Sequence, residues 1–511
     1  FEFQRLHGMG EILYATARER IADFPAVRTY APVGSHEDLL AYLVRRLLEN
    51  GANSSFVNRF LDENIAPAEL VRDPLRAVSA RVSHSHPVIR SPAELFDERR
   101  NSAGIDLADT GLQSQLENAI AAARTALTEA SAEAAGSAGS RLISPPYDRN
   151  LQIGQVDDTS VAEIASLVRS AQAAQGEWDN LPGEQRKEIL EHCADLIESA
   201  RLELIGLLVH EAGKTIGDAI NEVREAVDFC RYYAAQINTL FGDPTVLPGP
   251  TGERNTLRLQ GRGVWACISP WNFPLAIFLG QVSAALAAGN AVIAKPSEET
   301  PLITRRCVAL LHEAGVPRAV CQLACGGAEV GQALVSHPGI AGVAFTGSTE
   351  TAQRINQAMA AVDRPIAPLI AETGGQNAMI VDSTALLEQV TEDVIRSAFL
   401  SAGQRCSALR VLYLQDEVAD AAMEMLIGAM TELTVGDPSR VATDVGPVIS
   451  AEAAKALEGH IGEMRARGWI RHQLDLDANC RSGTFVAPTL AEIPNLSVLD
   501  QEHFGPILHV I

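Results

Sequence analysis

Residues 261–315, GRGVWACISPWNFPLAIFLGQVSAALAAGNAVIAKPSEETPLITRRCVALLHEAG, carry the pattern that decides the fold. The runs GVWACIS and AVIAK predict buried strands, and LAIFLGQVSAALAA and LITRRCVALLHEAG predict the helices that follow them. The alternation continues through VCQLAC, IAGVAFTG and ETAQRINQAMAAV. Strand–helix repetition at this spacing is typical of a doubly wound parallel sheet, whose ligands bind at the carboxyl ends of the strands.

The flanking sequence extends this α/β pattern in both directions. Long amphipathic helices are predicted at roughly 160–173, 184–211 and 215–239, and a second α/β stretch begins near residue 373. At the other end, FEFQRL, GEILYATARER, AVRTYAPVG and HEDLLAYLVRRLLENG predict two βα units. Between these parts, residues 118–140 predict a surface helix that runs into a Gly/Ser linker.

Composition excludes several classes of protein. The chain has 511 residues, 47% hydrophobic and 21% charged, which is typical of globular domains. Its formal net charge of −23 argues against a broad surface for nucleic acid or anionic lipid. Eight cysteines without a CxxC pair indicate reduced thiols in a cytosolic protein, with no metal site. The uncharged run from Pro274 to Ala294 is interpreted as a buried helix followed by a strand, since polar and glycine residues interrupt it.

Two patterns in the doubly wound region could hold a cofactor. In FTGSTETAQRI, Gly347 permits a tight turn and Ser348 can cap a helix whose N-terminal amides face an anion. Lys295 ends a predicted strand, and Glu298 follows three residues later, so the pair could bind ribose hydroxyls. Taken singly, the first pattern is more often a plain helix cap than a phosphate site, and the second is more often a solvated Lys–Glu pair on a loop.

Three further residues could carry catalysis. Cys406 follows a glycine-containing turn in FLSAGQRCSALR, where the adjacent Arg405 favours a thiolate nucleophile. Glu372 ends a predicted strand before two glycines, where a carboxylate could act as general base. Asn272 lies between prolines in SPWNFP, so its amide could serve an oxyanion hole. A buried cysteine and two ordinary loop residues are the alternative interpretations.

The order of these motifs is more specific than any one of them. ISPWNFP, AKPSEETP, FTGST, ETGGQNA, GQRCS and EHFGPIL, in this order, resemble the NAD(P)-dependent aldehyde dehydrogenase superfamily, from about residue 155 to 511. The resemblance implies that Cys406 is the nucleophile and that Asn272, with the Cys406 amide, forms the oxyanion hole. It also implies that Glu372 activates the deacylating water and that NAD is the cofactor. The residues implied for the cofactor are Ser269, Pro270, Trp271, Lys295, Ser297, Glu298, Gly347, Ser348, Glu502 and Phe504.

The helix predicted at 37–49 carries a polar face opposite its leucines. Tyr42, Arg45, Arg46 and Glu49 are spaced at i, i+3, i+4 and i+7. Two adjacent arginines can hold a carboxylate in forked geometry, and Glu49 can orient one of them. A solvated Arg/Glu face is the alternative interpretation.

The N-terminal sequence also resembles a known family. FEFQRLHGMG, VRTYAPVG and YLVRRLLENGANSSFV resemble the last two βα units of the proline dehydrogenase flavin barrel. A proline dehydrogenase end joined to an aldehyde dehydrogenase resembles the bifunctional bacterial proline utilization A family. That resemblance implies oxidation of L-glutamate 5-semialdehyde, formed from 1-pyrroline-5-carboxylate, to glutamate. It implies a proline site at Tyr30, Tyr42, Arg45, Arg46 and Glu49, and a contact of Ser407 with the aldehyde substrate's carboxylate.

The resemblance also defines the expected organisation. We expect a barrel remnant at 1–72, a linker or arm at 73–154, an NAD-binding domain at 155–371 and a catalytic domain at 372–511. Both ends resemble cuts, so the FAD pocket is expected to be incomplete here and the family's aldehyde-anchoring loop to lie beyond residue 511. The complete protein, of which this chain is expected to be a part, is expected to be a cytoplasmic bacterial homo-oligomer that binds small-molecule substrates. Contact with quinone or the inner membrane is expected only through its complete flavin domain.

Three alternatives stay open on the sequence. The chain could oxidise another acidic semialdehyde, with its first 70 residues a coincidental extension. It could be a catalytically silent fragment. A regulatory DNA-binding role requires a small basic module, and this acidic chain contains no such segment.

Overall fold

The computed structural model describes residues 1–52, 64–80, 88–134 and 140–511, together with Ser55, Arg59 and Asp62. These residues form two compact units, Phe1–Ile89 and Arg90–Ile511. Each unit has its own secondary structure and is described separately.

The first unit contains the two predicted βα pairs. Strands β1 and β2 pair in parallel, with Glu2 opposite Ala26 and Leu6 opposite Tyr30. The helices and strands of this unit are β1 (Glu2–Leu6), α1 (Glu11–Arg20), β2 (Ala26–Tyr30), α2 (His36–Gly51), α3 (Pro67–Leu70) and α4 (Pro74–Ser79). Proline at the first position favours α3 and α4, because it has no N–H that would be left unpaired there. The predicted order of strands and helices is confirmed.

The second unit begins with an arm that packs more closely than predicted. After the 3₁₀ turn Pro92–Glu94, helix α5 spans Thr110–Ala134, and the antiparallel strands β3 (Arg141–Ile143) and β4 (Gly154–Val156) follow. Leu116 and Ile120 of α5 are fully buried. The prediction of a surface helix is therefore wrong for this face, because apolar side chains in an Ala/Ser-rich sequence find a tertiary partner. The predicted Gly/Ser linker falls partly on residues 135–139, which lie outside the described residues.

Four long helices cover the next part of the chain. They are α6 (Val161–Asp179), α7 (Gly183–Ser199), α8 (Arg201–Ala212) and α9 (Ile216–Phe241). The single helix predicted over 184–211 is wrong, since α7 and α8 are separated at Ala200, where ψ is 8°. The Ser199 hydroxyl donates to the Asp195 carbonyl, which competes with backbone pairing at the break.

The decisive stretch folds as a doubly wound parallel sheet, as predicted. Within residues 261–373, the elements are β7 (Val264–Ile268), α10 (Ala276–Ala287), β8 (Ala291–Lys295), α11 (Pro301–Ala314), β9 (Cys321–Leu323), α12 (Ala328–Val335), β10 (Ile340–Gly347), α13 (Thr349–Ala360) and β11 (Leu369–Thr373). A hairpin of β5 (Thr245–Leu247) and β6 (Asn255–Leu257) precedes them. The strand order is β11-β10-β7-β8-β9, with all neighbours parallel. The order reverses beside β7, which places a ligand crevice between β7 and β10.

The rest of the unit forms a second sheet. Its elements are β12 (Ala378–Val381), α14 (Leu387–Phe399), β13 (Val411–Leu414), α15 (Asp416–Thr431), α16 (Ala451–Ala466), β14 (Ile470–Gln473), β15 (Thr489–Glu492) and β16 (Ile507–Val510). Short 3₁₀ turns lie at Leu400–Gly403, Ala478–Ser482 and Leu496–Val498. The strand order is β12-β13-β16-β15-β14, with β14 antiparallel to β15.

The uncharged run at 274–294 is buried in the core. Helix α10 carries the fully buried Phe278 and Leu279, and the strand β8 after it is buried along its length. The interpretation of this run as a buried helix and strand is confirmed. None of the helices in the described ranges has the length and hydropathy needed to cross a membrane.

Candidate active site

Cys406 projects from a strained turn between α14 and β13. Ser401, Ala402 and Gly403 have φ values of 55°, 51° and 64°, so three consecutive residues adopt the left-handed conformation. This conformation costs about 1–2 kcal/mol at each residue that is not glycine. The turn leaves Cys406 and Ser407 exposed, whereas residues 402–404 before them and 408–410 after them are buried. Stored strain at an exposed cysteine is typical of a functional turn.

The other cysteines have a different environment. All eight lie in the described part of the chain and are free, and only Cys406 is exposed. Burial raises the pKa of Cys325 to about 11 and that of Cys321 to about 12, which holds both as neutral thiols. The seven buried cysteines are Cys193, Cys230, Cys267, Cys307, Cys321, Cys325 and Cys480. Exposure therefore singles out the cysteine that the GQRCS motif indicates.

The loop after β7 reaches the cysteine turn through Asn272. This residue is 9% exposed, and its Nδ2 donates to the Gln404 carbonyl at 3.1 Å. Gln404 is itself held, because its Oε1 accepts from the Ile449 amide at 2.9 Å. A primary amide has two N–H donors, so Asn272 keeps one for a bound ligand.

Arg410, which the sequence analysis did not single out, connects the cysteine turn to the EHFGPIL segment. Its side chain is 1% exposed and donates to the Gly403 carbonyl at 2.6 Å and to the Arg405 carbonyl at 3.0 Å. It also donates to the Gly505 carbonyl at 3.2 Å and pairs with Glu502 at 3.0 Å. Desolvation lowers the pKa of Arg410, while the Glu502 carboxylate opposes this shift. One buried charge thus holds the nucleophile's turn and the segment after it together. The sequence feature that could have identified Arg410 is its position as the one charged residue within the apolar run ALRVLYL.

Asn377, also not identified from the sequence, holds the other side of the cysteine. Its Nδ2 donates to the Cys406 carbonyl at 2.6 Å and to the Ala408 carbonyl at 2.9 Å. The neighbouring Gln376 donates to the Gln501 carbonyl at 2.6 Å. The ETGGQNA motif therefore contacts GQRCS, and the residue directly before EHFGPIL, through side-chain amides.

Glu372 lies at the carboxyl end of the edge strand β11. It pairs in register with Thr346 of β10 and is exposed. Gly374 follows two residues later, and a Cβ there would collide with the Glu502 carboxylate. The glycine therefore allows the chain after Glu372 to lie directly against Glu502.

Lys295 and Glu298, predicted for the ribose, lie at the carboxyl end of β8, and Ser269, another predicted cofactor residue, lies at the carboxyl end of β7. Ser269 is buried, and its Oγ has no hydrogen-bond partner among the described residues. Lys295 is 6% exposed, and its Nζ donates to the Pro296 carbonyl at 3.0 Å and lies 3.9 Å from Glu298. Burial lowers the pKa of Lys295. Glu298 is exposed to solvent but Lys295 is buried. The alternative interpretation of the two residues as a solvated Lys–Glu pair is therefore wrong for Lys295.

The phosphate-binding candidate has the predicted cap. Ser348 is the N-cap of α13, and its Oγ accepts from the Thr351 amide at 3.2 Å. Gly347 ends β10 immediately before it. Backbone amides at the first turn of α13 are therefore available beside the sheet's carboxyl edge.

Aromatic side chains line the region beyond the cysteine. Trp271 and Phe504 meet edge to face, with ring centroids 5.6 Å apart, and the Arg410 guanidinium lies 5.1 Å from the Phe504 centroid. Pro270 and Ser297 lie half-buried in the loops after β7 and β8. The predicted cofactor residues at the ends of β7, β8 and β10 thus lie at the carboxyl edge of the parallel sheet, whereas Glu502 and Phe504 come from the segment before β16 of the second sheet.

A small cavity of about 20 Å³, room for about one water molecule, lies beside Asn272. Lys214 on its wall pairs with the fully buried Glu222 at 2.8 Å and lies 4.2 Å from the Phe273 centroid. Its lining residues include Lys214, Thr215, Trp271, Asn272, Ser401 and Gln404. Ser407 is exposed next to the nucleophile, and Arg405 pairs with Asp218 at the same turn.

In the first unit, the predicted polar face of α2 forms. Arg46 pairs with Glu49 at 2.6 Å and lies 5.2 Å from the Tyr42 ring centroid. Arg45 is exposed, and Tyr30 ends β2. Within the described ranges, no group of three or more His, Cys, Asp or Glu residues is arranged to hold a metal ion.

The fold and this arrangement define the second unit as an α/β structure with two five-stranded sheets and an exposed cysteine where they meet. Residues 133–511 match the aldehyde dehydrogenase family, and residues 1–59 match proline dehydrogenase. The chain belongs to the aldehyde dehydrogenase family.

The similar proteins are more specific. The chain is 48% identical to the bifunctional protein PutA of Escherichia coli, over 100% of this chain and 39% of that protein. It is 34% identical to a 1-pyrroline-5-carboxylate dehydrogenase of Halalkalibacterium halodurans, over 71% of each. A solved structure of a Bradyrhizobium japonicum proline utilization A variant superposes with a TM-score of 0.86 at 50% identity, over 100% of this chain and 49% of that one.

These comparisons confirm both family resemblances and the fold class. The chain spans about two fifths of the length of the curated PutA relatives that match it from end to end.

Proposed function

We propose that this chain catalyses the NAD-dependent oxidation of L-glutamate 5-semialdehyde to glutamate through a thioester on Cys406. The observation that carries the proposal is the exposed cysteine on a strained turn, held by Asn272, Asn377 and Arg410 between the two sheets. The relatives named 1-pyrroline-5-carboxylate dehydrogenase support the choice of substrate.

The first step is addition of the Cys406 thiolate to the aldehyde carbon. Negative charge then develops on the former carbonyl oxygen. The second side-chain N–H of Asn272 and the backbone N–H of Cys406 donate to this oxygen and stabilise its charge. Loss of one such donor lowers kcat by a factor of about 10²–10³. The Asn272 side chain does not have to reorient when this charge develops, because its Nδ2 already donates to the Gln404 carbonyl.

Loss of hydride from the carbon leaves a thioester on Cys406, and NAD, when bound, supplies the hydride acceptor. Glu372 takes a proton from a water molecule, and the resulting hydroxide attacks the thioester carbon. The C–S bond breaks, the acid is released, and the Cys406 thiolate is restored.

The residues present fit NAD. The Ser269 hydroxyl is buried without a described partner, and Lys295 has donors left for a ribose hydroxyl. Glu298 can accept from the 2′-hydroxyl, and the first turn of α13 presents amides to a pyrophosphate. We assign the nicotinamide end to Glu502 and Phe504, and Pro270, Trp271, Ser297 and Gly347 to the walls of the site.

For the substrate's far end, we assign Ser407 to its carboxylate. Ser407 follows Cys406 directly in the sequence, and both residues are exposed, so a small aldehyde can reach the thiolate and the Ser407 hydroxyl from solvent. A hydroxyl contributes a modest interaction, so we assign it to substrate affinity and not to the chemistry.

The test compares NADH formation with L-glutamate 5-semialdehyde and with succinate semialdehyde. We expect kcat/KM to be at least about tenfold higher for the former, since each 1.4 kcal/mol of differential contact gives a factor of ten. Ser407→Ala should raise KM for glutamate semialdehyde, whereas Ser383→Ala, at an exposed serine after β12, should not. Equal activity on both aldehydes favours a dehydrogenase of another acidic semialdehyde, and inactivity on both favours a silent fragment.

For the whole protein, we propose a second activity, the FAD-dependent oxidation of proline. The proline dehydrogenase match at residues 1–59 supports it, and we assign the proline carboxylate to Arg45 and Arg46, with Tyr30, Tyr42 and Glu49 around it. We further propose that the whole protein is a cytoplasmic homo-oligomer that does not bind nucleic acid through this chain. Quinone or membrane contact is assigned to its flavin domain alone.

A further inference from the structure

Three histidines from different segments meet behind the Arg410–Glu502 pair. His460 lies on α16, His503 between Glu502 and Phe504, and His509 on β16. The rings of His460 and His503 stack with centroids 3.4 Å apart and an interplanar angle of 17°. The Nε2 atoms of His460 and His509 are 2.8 Å apart. We call these three residues the histidine cluster.

Hydrogen bonding defines the protons in this cluster. His509 Nδ1 lies 3.1 Å from the Arg410 carbonyl, which can only accept, so Nδ1 carries a proton. In the neutral ring His509 Nε2 is then an acceptor, and His460 Nε2 must be the donor in their bond. The pair can share one additional proton but cannot hold two, since both Nε2 atoms would then point a proton at each other.

The hydrogen bonds from His460 to His509 and from His509 to the Arg410 carbonyl connect the histidine cluster to Arg410, whose side chain holds the cysteine turn. His509 holds the backbone of Arg410, and the Arg410 side chain holds Glu502. His503 is the residue directly after Glu502, and its ring is fixed against His460. The histidine cluster therefore restrains both partners of the Arg410–Glu502 pair from the side away from solvent, since His460 and His509 are 6% and 1% exposed.

The charges around the cluster favour its neutral form. Desolvation lowers the pKa of His503 to about 4 and that of His509 to about 3, and the pKa of His460 is also lowered. Arg410 and Arg467 oppose protonation, whereas Glu463 and Asp500 favour it. Burial outweighs the two carboxylates, so the rings are neutral at neutral pH.

We propose that the histidine cluster positions Glu502 and Phe504 against the nicotinamide ring of NAD, while the ADP-ribose part of NAD binds independently of it. This inference rests on the proposed function, because it assumes NAD as the ligand. His460 and His509 are positioning residues, since they act through Arg410 and His503 and not on the reacting atoms.

The test measures dissociation constants by calorimetry for NAD and for ADP-ribose, which lacks nicotinamide. His460→Leu removes the donor to His509 and the stacked ring. We expect NAD to bind about five- to tenfold more weakly, which is the effect of about one lost hydrogen bond, with ADP-ribose within twofold of the unaltered chain. His460→Gln should restore part of the NAD affinity, because its Nε2 can donate to His509 although the stacked ring is still missing.

A matched control is His312→Leu, since His312 is a partly buried histidine whose Nδ1 lies 3.0 Å from the Val316 carbonyl, at the end of α11. It should change neither constant. Should His460→Leu fail to fold, His503→Leu removes the stacking alone and is expected to show the same selective loss for NAD.

Unchanged NAD binding in His460→Leu and His503→Leu overturns the proposal. Equal weakening of NAD and ADP-ribose binding also overturns it, because that result indicates a general loss of structure. If the unaltered chain binds neither ligand, the proposed function fails, and this inference fails with it. The two failures are therefore distinguishable.

Discussion

At the scale of single residues, reactivity depends on how one sulfur atom is exposed. Cys406 follows three left-handed residues and is flanked by carbonyl groups that Arg410 and Asn377 hold. The buried cysteines have no such access, and burial holds the thiols of Cys321 and Cys325 in the neutral form. The same chemical group is therefore a nucleophile at one position and a small apolar side chain at the others.

Cys406→Ala should abolish aldehyde oxidation and leave NAD affinity nearly unchanged, because the substitution removes the nucleophile and no proposed cofactor contact. Steady-state rates and calorimetric NAD titration measure the two effects. Cys325→Ala is the control and should keep the rate of the unaltered chain. Turnover by Cys406→Ala would contradict the assignment of the nucleophile.

Glu298 should give the chain a preference for NAD over NADP. Its exposed carboxylate, 3.9 Å from Lys295, can accept from a 2′-hydroxyl but repels a 2′-phosphate. Glu298→Gln should raise kcat/KM for NADP about tenfold, the effect of removing roughly 1.4 kcal/mol of repulsion. Glu388→Gln, at an exposed glutamate on α14, should leave the preference unchanged. Equal kcat/KM values for the two cofactors in the unaltered chain would refute the role of Glu298.

At the scale of elements, two buried glutamates fix the helices of the parallel sheet. Glu211 on α8 accepts from the Leu302 and Ile303 amides, at 2.6 and 2.8 Å, at the start of α11. Glu222 on α9 accepts from the Leu275 amide at 2.8 Å, at the start of α10. Carboxyl groups at helix N-termini satisfy amides that have no partner within the helix. The helices before the sheet thus orient those that follow β7 and β8.

Glu211 should make stability depend on pH. Burial raises its pKa to about 8, although the two amide bonds oppose the shift. Because the folded pKa exceeds the unfolded value, this contribution to the free energy of unfolding is full below about pH 4.5 and falls as the pH rises to about 8.

The measurement is urea unfolding of the chain and of Glu211→Gln between pH 5.5 and 8. The stability of the unaltered chain should decline relative to the variant by up to about 1.4 kcal/mol per pH unit. Glu203→Gln, which alters an exposed ion pair with Arg306, is the control and should give a nearly constant difference. A constant difference for Glu211→Gln as well would show that Glu211 does not titrate in this range.

At the scale of the whole molecule, the site lies where the two sheets of the second unit meet. The loop after β7, the end of β11, the turn before β13 and the segment before β16 each contribute side chains to it. The first unit is different, because in its described residues β1 and β2 form a two-stranded sheet and α2 exposes Leu47 and Leu48, each at 71%. An open sheet edge and an uncovered apolar face do not form a closed flavin pocket.

A purified polypeptide of these 511 residues should therefore carry no stoichiometric flavin absorbance and should not transfer electrons from proline to a dye. Aldehyde oxidation by the same preparation is the control for a folded second unit. Flavin bound at one equivalent, together with proline oxidation, would contradict this prediction and show that the two βα units are enough to form a flavin site.

The sequence by itself determined the parallel sheet and the order of the motifs, because apolar periodicity and turn residues are local properties of the chain. It also indicated Cys406, Asn272 and Glu372 as one set. Only the tertiary structure decided the break at Ala200, the burial of Leu116 and Ile120, and the contacts of Arg410 and of the histidine cluster. These depend on partners that are distant in sequence: Arg410 meets Glu502, and His460 meets His509. A residue's spacing reveals its own helix or strand, whereas its burial and hydrogen bonds are set by the segments that fold against it.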